Sequence, residues 1–98
     1  MKQYGVYRLK DNTNFVIILQ YPGLETSSLV IVAPLIDADA LPEITPMTPI
    51  LRYKDQAWMV LTYRMAAIPE ADLGEYITSF HNIDYVFQWA LSRLFYGN

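Results

Sequence analysis

Three prolines fall within eight residues, Pro42, Pro46 and Pro49, in the stretch DADALPEITPMTP. Proline has no amide hydrogen to donate, and its ring collides with the carbonyl four residues back, costing ~3 kcal/mol or more inside a helix. No regular helix can cross the middle of this chain. The stretch reads as a crossing loop, with room for one helical turn at Asp37 to Leu41.

The segments on either side of it read as strands. YGVYRL and FVIILQY are β-branched and aromatic runs separated by KDNTN, whose Asp11, Asn12 and Asn14 suit a hairpin loop. FVIILQY is continuously apolar rather than alternating, which predicts a strand covered on both faces. The Pro22-Gly23 pair after it predicts a turn. LVIVAPLI predicts another buried strand, and its Pro34 implies an edge position, a strand end or a bulge. Beyond the loop, PILRY and AWMVLTY predict a second hairpin turning at Lys54 to Gln56. RMAAIPEADLGEYI closes the β section, with Pro69 and Gly74 as punctuation.

The C-terminal segment predicts the one clear helix. Ile83, Val86, Phe87, Ala90, Leu91, Leu94 and Phe95 follow the i, i+3, i+4, i+7 spacing of a single buried stripe. Ser79, His81 and Asn82 offer polar side chains for its start, and Asp84 suits the first turn. Arg93 complements the carbonyl end, and Gly97 is placed for the C-terminal cap. Phe95 belongs to the expected stripe. Trp89 and Tyr96 lie off it, two turns apart and so on one face of their own. A second buried face and presentation to a partner are the two readings of that pair.

Ninety-eight residues hold one core, so residues 1–98 read as a single domain. The chain is 53% hydrophobic and 17% charged, against about 25% charged in a typical domain. That excess of apolar side chains predicts an interface between subunits. There is no cysteine, which excludes disulfides and thiolate metal sites and suits a reducing cytoplasm. MKQYGVYRLKDN lacks the apolar centre of a signal peptide, and LVIVAPLI is far short of the ~20 residues that span a membrane. A net charge of −3 with seven scattered basic residues argues against direct nucleic-acid binding.

Groups for catalysis are sparse. His81 is the lone histidine and reads as a polar residue near a helix start. Asp37, Asp39 and Glu43 come nearest to a metal set but read as a solvated loop, so no metal or cofactor is expected. Glu70, Asp72 and Glu75 read as charged surface. A ribonuclease would need an arginine (Arg8, Arg52 or Arg64) to stabilise a phosphorane, with Asp55 or His81 as acid–base group. Nothing in the spacing selects these residues.

Several stretches in register resemble the CcdB family, toxins of bacterial toxin–antitoxin pairs. They are Val6-Tyr7, Phe15 to Gln20, VIVAPL at Val30 to Leu35, Pro49, Trp58, Leu61-Thr62, MAAIP at Met65 to Pro69, Leu73-Gly74 and the ending LFYG. The resemblance covers essentially the whole chain. It implies an SH3-like antiparallel β barrel with one C-terminal α-helix, forming a homodimer. It also implies binding to the A subunit of DNA gyrase, a topoisomerase, and trapping of its covalent complex with cleaved DNA. A disordered segment of a cognate antitoxin would release the toxin. No catalysis by the toxin is implied, so the chain is not expected to be an enzyme.

The resemblance further implies that Phe95, Tyr96, Gly97 and Asn98 are the gyrase-binding residues, near the dimer axis. The family pattern there is Trp, Gly and a final Ile, where this chain has Tyr96, Gly97 and Asn98. Tyr96 keeps a flat ring able to stack on a cation. Asn98 gives up roughly 1.5–3 kcal/mol of apolar burial, about tenfold to over a hundredfold in affinity. The DADALPEITPMTP loop is shorter than its counterpart and departs in sequence, so any antitoxin is specific to this chain. Two other readings stay open: a dimer of this fold that no longer poisons gyrase, and an endoribonuclease of the related MazF/Kid group.

Overall fold

The computed structural model describes residues 2–21 and 28–97. The expected Pro22-Gly23 turn and Asn98 lie outside them. The chain forms β1 (Gly5–Leu9), β2 (Phe15–Ile18), β3 (Leu29–Asp37), β4 (Ile50–Tyr53), β5 (Gln56–Val60), β6 (Ala66–Pro69) and β7 (Leu73–Ser79), then helix α1 (Asp84–Tyr96). All strand pairs are antiparallel, in the order β4-β5-β3-β2-β1-β7, with β6 also beside β3. The sheet curls into a half-barrel, the mainly β architecture with a single late helix that the sequence implies.

The apolar run of β2 is covered on both sides. Ile17 packs with Tyr4, Val6, Ala33, Leu35, Leu51, Val60 and Phe87 on one face, whereas Val16 and Ile18 pack with Val30 and Val32 on the other. Successive side chains of a strand point to opposite faces, so an unbroken apolar run is what two cores on one strand require. The loop before β2 is fixed by an Asx turn in which the Asn14 amide donates to Asn12 Oδ1 at 3.0 Å.

Pro34 differs from expectation, lying within the central strand. Along one edge of β3, residues 29–32 pair with β6 and residues 35–37 pair with β5. Pro34 sits where the partner changes, and its carbonyl accepts from the Leu61 amide at 2.9 Å. The missing donor therefore falls in a gap between two ladders. On the other edge the ladder with β2 runs through Pro34 opposite Val16.

Lys54 and Asp55 connect β4 to β5 as a two-residue turn, both with positive φ (51° and 64°). That pattern matches the right-handed strand twist. Gln56, expected in the turn, begins β5. Gly74, expected as punctuation, lies inside β7. A Cβ there would stand 2.7 Å from the Arg8 carbonyl, so glycine permits the close approach of β7 to β1 where their register slips.

The crossing loop has no helix. Hydrogen bonds tie it to itself and to its neighbours: Asp37 Oδ1 accepts from the Asp39 amide at 2.9 Å, and Asp37 Oδ2 accepts from Gln56 Nε2 of β5 at 3.0 Å. The hydroxyl of buried Thr62 donates to the Met47 carbonyl. Among the described residues no helix is long and apolar enough to cross a membrane.

Candidate functional site

α1 follows the helical stripe except at its ends. Phe87 and Ala90 are fully buried, and Ile83, Val86, Leu91 and Leu94 are half-buried. Phe95 does not belong to the buried stripe: it is 63% exposed. At 3.6 residues per turn, the twelve steps from Ile83 rotate a side chain by roughly 120° away from it. The polar residues expected to cap the start do not do so. Ile83 occupies that position with no side-chain cap, and the chain enters the helix through Asn82 at φ 58°. Ser79 ends β7, its hydroxyl 2.6 Å from that of Tyr76.

The far end is well defined. Gly97 adopts a left-handed φ of 74°, and its amide donates to the Arg93 carbonyl at 3.0 Å. Arg93 Nη1 donates back to the Gly97 carbonyl at 2.8 Å. This closed cap ends the helix immediately after Phe95 and Tyr96, and Tyr96 is 78% exposed. Tyr85 (70%) and Trp89 (58%) are also exposed. With Tyr96 they follow i, i+4, i+11 spacing, which aligns them on the face opposite Phe87 and Ala90. Tyr85 was missed in the sequence, although its four-residue offset from Trp89 is the signal that finds it. Monomeric proteins rarely expose contiguous apolar patches of this kind without using them.

The start of α1 is seated on Tyr4, which the sequence places at the edge of a strand. Tyr4 is buried with φ 62°, a conformation costing about 1–3 kcal/mol for a residue of this kind. Its ring stacks on Phe87, centroids 5.1 Å apart and planes 14° from parallel. Burial, then a hydrogen bond to the Asp84 carboxylate, then that group's charge push the Tyr4 hydroxyl above its ordinary pKa.

Inside the curl lies an open apolar pocket of about 90 Å³, lined by Phe15, Leu35, Tyr53, Trp58, Ile77 and Phe80 among others. Phe15 and Trp58 meet edge to face at 5.4 Å, and the Arg8 guanidinium lies 4.9 Å over Phe15. The pocket suits an apolar or aromatic side chain.

The residues weighed for catalysis are not joined. Arg8 on β1 faces Glu75 on β7 at 3.7 Å. Arg52 and Asp55 belong to the β4–β5 hairpin, Arg64 to a 3-10 turn at Thr62–Arg64, and exposed His81 to the link before α1. Among the described residues no hydrogen bond or ion pair joins these arginines to Asp55 or His81. Nor does any group of three possible ligands come together on a metal-sized site.

Residues 3–97 match the family model described as CcdB protein. No curated protein matches the chain.

Proposed function

Because the chain belongs to the CcdB family of toxin–antitoxin proteins, we propose that it binds the A subunit of DNA gyrase and traps its cleavage complex. Phe95, Tyr96, Gly97 and Asn98 are the contact residues in this reading. The observation that carries it is the pair of exposed rings at Phe95 and Tyr96, in the last turn of α1 closed by the Arg93–Gly97 cap. A flat phenol ring stacks on a cationic side chain of the target. Gly97, with no atom within 4 Å of where a Cβ would be, lets the target's backbone approach closely.

Two copies related by a twofold axis present two such ends, matching the twofold symmetry of the target. The toxin makes and breaks no covalent bond; it acts by holding one conformation of the enzyme. A cognate antitoxin peptide competes for the same dimer in the cytoplasm. Neither a membrane nor a direct nucleic-acid contact takes part.

Asn98 favours a second reading. A polar amide stands where the family pattern ends in a branched apolar side chain, which suits a dimer that binds its antitoxin without poisoning gyrase.

The test is a DNA cleavage assay with purified gyrase, ATP and supercoiled plasmid. Linear DNA released on denaturation by the wild type, and lost with Tyr96→Ala at unchanged sedimentation mass, supports poisoning through this end. Absence of cleavage by a folded dimer supports the second reading. Cleavage undiminished in Tyr96→Ala removes the site assignment.

A further inference from the structure

We propose that Tyr4 is the positioning residue of α1, fixing the direction in which the helix leaves the sheet and hence where the Phe95–Tyr96–Gly97 end stands. The importance of that direction rests on the proposed function; the seating of the helix does not.

The backbone of Tyr4 is tied on both sides. Its amide donates to the Ile18 carbonyl at 2.7 Å, and its carbonyl accepts from the Phe80 amide at 3.1 Å. The Gly5 amide closes a tight turn onto the Lys2 carbonyl at 3.0 Å. Left-handed backbone is sparsely populated by a bulky buried side chain, and it persists where the surroundings over-determine it. Here those surroundings are β2 and the strand-to-helix link.

From this fixed base Tyr4 reaches α1 at two points. The ring stacks on Phe87 and the hydroxyl donates to Asp84, three residues earlier on the same helical ridge. One contact would let a helix swivel about it, whereas two along the axis define a direction. The start has no side-chain cap, and the rest of its hold is apolar: Phe87 enters the core beside Val6, Ile17, Leu51 and Val60, with Ile83 packed against it. To that non-directional packing Tyr4 adds a ring stack and a polar contact about one turn apart.

The test compares hydrogen exchange in the full chain across wild type, Tyr4→Phe, Tyr4→Leu and Val30→Ala. Val30 packs in the cluster on the opposite face of the sheet, so its truncation loosens the fold without touching α1. Tyr4→Leu is expected to speed α1 amides at least tenfold relative to those of β2 and β3. Tyr4→Phe keeps the stack and loses the Asp84 bond, and is expected to speed only the first turn of α1, several-fold. Equal acceleration of helix and sheet in both Tyr4 variants, as in Val30→Ala, overturns the proposal.

The gyrase assay adds a second arm. Well below its melting temperature, Tyr4→Leu should need at least tenfold more protein for half-maximal cleavage. Undiminished potency with a loosened helix overturns the link to the tip. A wild type that yields no cleavage complex counts against the proposed function alone, and the exchange ratios still decide the role of Tyr4.

Discussion

Arg93 and Gly97 hold each other twice, through the Gly97 amide on the Arg93 carbonyl and the Arg93 guanidinium on the Gly97 carbonyl. A Cβ at Gly97 would meet nothing within 4 Å, so glycine is required there by its φ and not by space. Gly97→Ala is expected to cost about 1–2 kcal/mol locally. Because Phe95 and Tyr96 are exposed, that cost frays the last turn without unfolding the sheet. Amides near the helix end should exchange roughly tenfold faster while the global melting temperature stays essentially constant. A fall of several degrees would mean that the cap is coupled to the core.

Gly74 presents the opposite case. Its absent Cβ would press on the Arg8 carbonyl at 2.7 Å, a backbone atom within the β1–β7 pairing. Gly74→Ala is expected to destabilise by about 1–3 kcal/mol, roughly 4–8 °C in melting temperature per kcal/mol for a domain of this size. Thermal unfolding followed by circular dichroism reads it directly.

Ile17 and Ile18 are consecutive, and both are completely buried. In a sheet covered on one side, truncating one of two such neighbours would be nearly free. Here Ile17→Ala and Ile18→Ala are each expected to cost about 2–5 kcal/mol, as measured by urea unfolding. A large effect at only one of them would contradict the two-sided core.

Burial raises the pKa of Tyr4, reinforced by Asp84, and burial raises that of Tyr7, reinforced by Tyr76 and Glu70. Both phenols are neutral in folded and unfolded chains below pH ~10, so their contribution is complete there. Above pH ~10 the unfolded chain ionises first, and stability falls by up to about 1.4 kcal/mol per pH unit for buried Tyr4 and by less for the more exposed, better screened Tyr7. Urea midpoints should therefore be flat near pH 8–9 and decline beyond 10. Tyr4→Phe should show a shallower decline; an identical slope would remove Tyr4 from the account.

Much of this architecture was legible in local sequence. KDNTN and the Lys54-Asp55 turn separate apolar runs long enough to be strands, and the unbroken run before Gln20 announced two covered faces. β7 was harder, because Pro69 and Gly74 look like terminators. The reason for Gly74 lies in a carbonyl far away in sequence. Pro34 by itself implies an edge, an end or a bulge, because no local signal reveals that the neighbouring ladder is interrupted beside it. The cap at Gly97 was readable from spacing, whereas the exposure of Phe95 depends on how the helix rotates past the end of its support. Nothing around Tyr4 announces a left-handed conformation, since that is imposed by strands and a helix that fold onto it from elsewhere.

The stacking of Tyr4 on Phe87 also orders events in time. The described strands are all synthesised before α1, at roughly 5–20 residues per second. During that interval Tyr4 has its sheet partners but no ring to lie against, and the apolar face meant for Phe87 and Ala90 is uncovered. A chain whose α1 has not yet docked is therefore sticky: it exposes the apolar surface that Phe87 and Ala90 later cover, the kind a chaperone grasps.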